Sequence, residues 1–230
     1  MVNEDVRGLV IIPAHNEAAN LPAVLGRLRE VAAPEDVLVV DDGSRDGTGA
    51  LLARLGQAVL CHPVRRGYAC AVRTGLMAAA ERGYDYAVTL DADGQHDPAT
   101  IHHLVAPLRD GGADVVVGCR FCGDAGYRAP PLRRLGMRLS SRLLLQLGGQ
   151  RIHDTTSGLR AIGRRAFPVL LAPAPGDLHA EALLRCLRAG LRLAEVPAAM
   201  APRRCGRSMY GPLSALLYPA RLALGLWAAR

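Results

Sequence analysis

The sequence predicts an α/β fold, a single domain with a mainly parallel central sheet flanked by helices. Three observations predict it. Short apolar runs alternate with helix-spaced segments through the first half of the 230 residues. The runs are apolar at nearly every position, as strands covered on both faces are. Polar clusters follow three of them directly: PAHNE after the first, DDGS after the second and DADGQH after the fourth. In open parallel sheets, ligands bind outside the carboxyl ends of the strands.

The elements follow in order. Residues 8–12 form a β-branched strand ended by Pro13. Residues 18–31 place Leu21, Val24, Leu25 and Leu28 on one helical stripe. Residues 37–40 are a second strand, running into Asp41-Asp42-Gly43-Ser44. A short helix at 48–55, a strand at 58–61 and a small-residue helix at 67–81 come next. Residues 86–90 are a fourth strand that runs straight into Asp91-Ala92-Asp93. Pro98 suits a helix start, residues 101–108 continue that helix, and residues 115–117 are a fifth strand. Beyond 118 the pattern loosens. Residues 132–147 read as a basic helix with Leu135, Leu139, Leu143 and Leu147 on one side. DTTSGLRAI is a loop leading into a strand, and residues 178–188 are a helix. Residues 201–211 form a basic, Gly-rich loop, and 213–229 are apolar but broken by Pro219 and Arg221.

Composition narrows the function. Hydrophobic residues make up 50% and charged residues 21%, the balance of a folded chain. No apolar run reaches the length of a membrane span. The acidic start MVNEDVRG has no apolar core of a secretory signal, and the six cysteines read as reduced thiols, so a cytoplasmic protein is expected. All 28 basic residues are arginine, which excludes a Walker A lysine, a Schiff-base lysine and a lysine base. Residues 1–115 carry 10 Arg against 16 acidic residues, a formal −6; residues 116–230 carry 18 against 5, a formal +13. An acidic half followed by a basic half suits cation binding first and anion or membrane contact second. A basic solvated surface is the alternative. With 4% aromatic residues the chain lacks stacking platforms, so no nucleic-acid partner is expected.

Asp91 and Asp93 are the sharpest pair. In an extended segment their carboxylates fall on one side, about 7 Å apart, and suit one hard divalent ion. Gln95 continues that spacing with a carbonyl oxygen. An ordinary acidic turn is the competing reading. Asp41 or Asp42 suits a hydrogen bond to a base or ribose, with a turn and helix cap as the alternative. A G-x-G-x-x-G fingerprint and a G-x-S-x-G elbow are both missing. Cys119 and Cys122 form a lone C-x-x-C without a second pair at zinc spacing, and read as spare thiols. Arg120, Arg133, Arg134, Arg138 and Arg142, with Arg203, Arg204 and Arg207 later, offer forks for phosphate.

Taken in order, IIPAHNEAANLP, VVDDGSRDGT, RRGYACAVRTGLMAA, TLDADGQHDP, VVGCRF, DTTSGLRAI and PRRCGRSMYG resemble the inverting family-two glycosyltransferases of the A-type fold. Within them the chain is similar to dolichyl- and polyprenyl-phosphate mannose or glucose synthases. The resemblance implies a Rossmann-like nucleotide-diphospho-sugar transferase domain over residues 1–211. Its nucleotide-binding half would be 1–118 and its acceptor-binding half 119–211, with 212–230 as an amphipathic helix. It implies Mg2+ or Mn2+ on Asp91, Asp93 and Gln95. It places the nucleotide sugar on Pro13, His15, Asn16, Glu17, Asp42, Asp91, Ala92, Asp93, Arg204 and Ser208. Arg120 and Arg134, near Ser140 or Ser141, fall by an acceptor-phosphate site. The expected reaction is inverting hexose transfer from a GDP-mannose or UDP-glucose type donor to a polyprenyl phosphate, at the cytoplasmic face of a membrane. A phosphate acceptor needs no general base. A soluble hydroxyl or glycolipid acceptor would need one, with Asp154 the first candidate and Glu181 the second. A non-catalytic nucleotide-sugar binding module is the third reading.

Overall fold

Seven strands, β1 (Gly8–Ala14), β2 (Val37–Asp41), β3 (Val59–Cys61), β4 (Tyr86–Thr89), β5 (Val115–Cys119), β6 (Arg160–Gly163) and β7 (Leu193–Pro197), form one sheet in the order β3-β2-β1-β4-β6-β5-β7. The computed structural model describes residues 6–33, 36–123, 131–173 and 179–201. β6 runs antiparallel to both β4 and β5, and every other pairing is parallel. The helices among the described residues are α1 (Leu21–Leu28), α2 (Thr48–Arg54), α3 (Tyr68–Glu81), α4 (Thr100–Arg109), α5 (Pro131–Gly148), α6 (Phe167–Leu171) and α7 (Ala180–Arg188).

The apolar strands bury both faces because successive side chains point to opposite sides. Leu9 and Ile11 of β1, with Leu38 and Val40 of β2, join one core that packs on α3, α6 and α7. Val10 and Ile12, with Val37 and Val39, join the other, packed on α1 and α4. Each core therefore takes every second residue of the same strands, and this is why those strands show no polar alternation.

Four details differ from the sequence reading. α1 starts at Leu21, not at residue 18, because the Glu17 carbonyl accepts the amides of Asn20 and Leu21 in a turn, with Pro22 opening the helix. β7 and α6 are elements the periodicity did not resolve, since neither exceeds five residues. The row Leu135, Leu139, Leu143 and Leu147 of α5 turns only partly to the core, with Leu143 and Leu147 packed against it. Leu135 is 49% and Leu139 41% exposed, while Met137, Ser140, Ser141 and Leu144 face the protein. A four-residue step overshoots a turn of 3.6 residues, so a row at that spacing winds around the helix. Lastly, Cys119 and Cys122 are not spare thiols: they form a disulfide with Cα atoms 5.5 Å apart.

The topology positions the site. β2, β1 and β4 are adjacent and parallel, so the segments PAHNE, DDGS and DADGQH leave the same sheet edge side by side. At about 4.8 Å per strand, the β2 and β4 ends lie roughly 10 Å apart. β5 points the same way as β4, because β6 is antiparallel to both. The turn that enters β6 therefore emerges at this edge too, between the β4 and β5 loops.

Close packing beneath this edge sets one prediction. A Cβ on Gly75 of α3 would stand 2.3 Å from Ile11 Cγ2, so the helix lies directly on β1. Gly75→Ala gains up to about 1 kcal/mol of helix propensity but overpacks the core, which costs about 1–3 kcal/mol. Urea unfolding of this variant should show a net loss of stability.

Candidate active site

The β1 and β2 loops are tied together by side chains that satisfy the other loop's backbone. Ser44 accepts the Asn16 amide at 2.8 Å, and Asn16 Oδ1 accepts the Arg45 amide at 2.8 Å. The Thr48 hydroxyl accepts the Glu17 amide, and Asp46 Oδ2 accepts the Ala18 amide. Asn16 is at φ 58, the one non-glycine residue with positive φ among those described, and an asparagine tolerates that conformation well. Burial pushes the Asp46 carboxyl up, but the Thr48 hydroxyl and the amides of Ala18 and Thr48 outweigh it and hold it below its usual range. His15 Nδ1 lies 2.9 Å from the Asp42 carbonyl oxygen and Nε2 lies 3.3 Å from Asn16 Nδ2. One neutral tautomer, with the proton on Nδ1, serves both contacts.

A cleft of about 620 Å³ opens between these loops, lined by His15, Asn16, Asp41, Ser44, His62 and Arg65 among others. Of the two carboxylates the sequence offers here, Asp41 lines the cleft. Asp42 is 3% exposed and faces the β3–α3 connection. Its Oδ1 accepts the Arg66 amide at 2.8 Å and lies 2.7 Å from His62 Nδ1; its Oδ2 accepts the Gly67 amide at 2.7 Å. His62 Nε2 in turn meets the Thr74 hydroxyl at 2.9 Å. Consecutive residues point to opposite sides, so with Asp42 turned to that connection Asp41 lines the cleft, its Oδ1 accepting the Ser44 amide. Burial works to raise the Asp42 carboxyl, but His62 and the two amides hold it below 3.8.

At the β4 edge the strand ends at Thr89, and Asp91–Asp93 is not extended as the spacing argument assumed. The chain turns, with Gly94 at φ 73 and Asp93 Oδ1 accepting the Gln95 amide at 3.0 Å. Asp93 and Ala92 are buried, while the Asp91 carboxylate keeps 33% exposure. His96 Nε2 lies 3.6 Å from Asp91 Oδ2. Burial pushes Asp91 upward, yet the His96 contact, with His179 and Arg120 farther off, holds it below its usual range. Gln95 donates its amide to the Ala201 carbonyl at 3.2 Å, and its own carbonyl accepts the Ala201 amide at 2.8 Å. This turn thus carries hard oxygen donors: two carboxylates and the Gln95 side-chain oxygen. The donor set fits a divalent ion of the magnesium or manganese type.

Arg120 and Asp154 meet across 34 residues. Asp154, fully buried, accepts Arg120 Nε at 2.6 Å, Nη2 at 2.7 Å and the Arg120 amide at 3.1 Å. Arg120 Nη2 also reaches the Thr156 hydroxyl at 2.9 Å. Asp154 as general base is corrected by this geometry, because both of its oxygens are committed to a guanidinium. Glu195 sets Asp154 in place, accepting its amide at 2.8 Å and that of His153 at 2.9 Å. Arg134 is exposed near the start of α5. Ser140 is buried and gives its hydroxyl to the Gly136 carbonyl, so its donor is spent within the helix. Glu181 occupies the first turn of α7. Arg204, Ser208 and the 212–230 segment lie outside the described residues. Sequence reasoning passed over His62 and Glu195, whose partners are 20 and about 42 residues away. The D-G-Q-H spacing was the one local signal that pointed to His96.

The family model described as Glycosyl transferase family 2 matches residues 9–171. A polyprenol monophosphomannose synthase of Mycolicibacterium smegmatis is 35% identical over 216 residues, covering 88% of this chain and 80% of that protein. An undecaprenyl-phosphate mannosyltransferase of Micrococcus luteus is likewise 35% identical over 216 residues, covering 88% of this chain and 87% of that protein. Among solved structures, glucosyl-3-phosphoglycerate synthase of Mycobacterium tuberculosis, in complex with Mn2+, uridine diphosphate and glucosyl-3-phosphoglycerate, superposes with a TM-score of 0.74 at 23% identity. That match covers 99% of this chain and 81% of that one.

The Asp42 network carries a pH signature. A carboxyl held below 3.8 in the fold adds stability that is present above about pH 4 and fades as the pH falls through its folded value. Asp42→Asn should cost about 1–3 kcal/mol in urea unfolding at pH 7, and the gap to the parent protein should narrow as the pH falls below about 4.

Proposed function

Since the chain belongs to glycosyl transferase family 2, we propose that it moves a hexose from a nucleotide diphospho-sugar to a polyprenyl phosphate, with inversion at the anomeric carbon. It is a glycosyltransferase. The donor and acceptor are the proposal. The observation that carries it is the arrangement of one sheet edge. The cleft of the β1 and β2 loops, the acidic β4 turn and the β5 arginine follow one another there, and the reading assigns them to nucleoside, diphosphate and acceptor in turn.

In this reading Asp41 and the His15–Asn16 segment receive the nucleoside, with Pro13, Glu17 and Asp42 shaping the loops around it. Asp91, Asp93 and Gln95 hold Mg2+ or Mn2+. When bound, that ion supplies charge neutralisation for the departing nucleoside diphosphate. Arg204 and Ser208 are assigned to the same diphosphate. Arg120 is pre-oriented by Asp154, and Arg134 stands exposed on α5. The two are proposed to position the acceptor phosphate. A phosphate oxygen is already anionic, so this acceptor matches a site whose best-placed carboxylate, Asp154, is locked on an arginine.

A lipid acceptor requires a meeting with a membrane surface. α5 carries no acidic residue, and it exposes Leu135, Leu139 and Leu145 among Arg134, Arg138 and Arg142. Such a face suits peripheral contact with an anionic interface, here assigned to the cytoplasmic side. No helix among the described residues is long and apolar enough to cross a membrane.

The test is radiolabelled transfer from GDP-mannose and UDP-glucose, with Mn2+, Mg2+ or EDTA, onto undecaprenyl phosphate, undecaprenol and 3-phosphoglycerate. Transfer should need the divalent ion, favour undecaprenyl phosphate and fall on the order of 100-fold in Asp93→Ala. Equal transfer to undecaprenol, preference for 3-phosphoglycerate or full activity of Asp93→Ala would overturn the reading.

A further inference from the structure

We infer that Gly158 is a positioning residue whose bare Cα seats the Asp91 carboxylate for metal binding; the inference rests on the divalent-ion reading of Asp91. A Cβ added at Gly158 would stand 2.5 Å from Asp91 Oδ1, 2.6 Å from Oδ2 and 2.8 Å from Cγ. The carboxylate lies flat against the glycine, and no side chain fits between them. Gly158 does not adopt positive φ, so its backbone would accept any residue. The neighbour, not the conformation, requires glycine here.

The register explains the contact. β4 and β6 pair antiparallel as Val88 with Ala161 and Thr89 with Arg160. Asp91 and Gly158 each lie two residues beyond the last of these pairs, where the two segments still face each other. The seat is fixed from several directions. The Thr89 hydroxyl, 2% exposed, donates to the Gly158 carbonyl at 2.6 Å. Arg160, itself buried, donates to the carbonyls of Ser157 at 3.0 Å and Thr155 at 3.2 Å. The Gly118 amide binds the Leu159 carbonyl at 2.9 Å. With Gly158 on one side and His96 on another, the carboxylate keeps 33% of its surface exposed. A methyl at 158 needs roughly 1 Å more room to reach ordinary contact, and only the carboxylate can give it. The carboxylate must then leave the position in which Gly158 and His96 hold it.

Mn2+ uptake, read from the electron paramagnetic resonance of the free ion in the presence of uridine or guanosine diphosphate, tests this on the full chain. Gly158→Ala should bind Mn2+ about 10- to 100-fold more weakly, while the metal-free melting temperature stays close to the parent's. Its activity should require correspondingly more Mn2+, with kcat recovering as the ion saturates. If Gly158→Ala fails to fold, the Thr89 pair decides. Thr89→Val removes the hydroxyl that anchors Gly158 and should weaken Mn2+ several-fold, and Thr89→Ser should restore it. Parent-like Mn2+ affinity in Gly158→Ala, or in Thr89→Val where the alanine variant does not fold, overturns the role of Gly158 alone. A parent protein that takes up no Mn2+ with either nucleotide overturns the metal reading of Asp91 and this role with it.

Discussion

Asp154 and Arg120 face each other inside the protein, and the site edge is organised around their pairing. An ion pair removed from water is favourable only when its geometry is good and its remaining hydrogen-bonding capacity is filled. Both conditions are met. The guanidinium forks onto both carboxylate oxygens and reaches Thr156, and Glu195 receives the two amides that open the turn. Losing one partner of such a pair strands a buried charge and typically costs about 3–5 kcal/mol. The pair also joins two stretches of chain, the β5 exit and the β6 entry. With both ends fixed, residues 154–158 become a rigid rib between the acidic turn and the arginine loop.

The donor side follows a different rule. Polar backbone groups in a loop must find partners or water, and here the partners come mostly from the neighbouring loop's short side chains. Asn16, Ser44, Asp46 and Thr48 each take an amide that would otherwise point into the loop pair. Asp42 does the same for the β3–α3 connection. The carboxylates at this edge thus divide by task. Asp42 and Asp46 hold loops, Asp154 holds an arginine, Asp41 lines the cleft although it is 6% exposed, and the Asp91 carboxylate keeps 33% of its surface open.

The Cys119–Cys122 disulfide brackets Arg120 and adds a covalent constraint to the same loop. Glu195, whose oxygens serve His153 and Asp154, lies beside it. α5 has buried residues on one side and an arginine–leucine face on the other.

The sequence by itself determined the alternating elements, the apolar strands and the polar clusters at their carboxyl ends, because those are properties of neighbouring residues. Strand runs such as LVII and VLVV can only be buried twice over, and DADGQH can only follow its strand. It also carried the ordered motifs that the family match bore out. Other facts were decided by the tertiary structure alone. β6 inserts antiparallel between β4 and β5, which makes Gly158 the neighbour of Asp91 and Asp154 the partner of Arg120. Asp41, not Asp42, lines the cleft, since strand twist and the β3–α3 connection choose the face. Register between segments some 70 residues apart is set by packing and hydrogen bonds across space, and no local period records it.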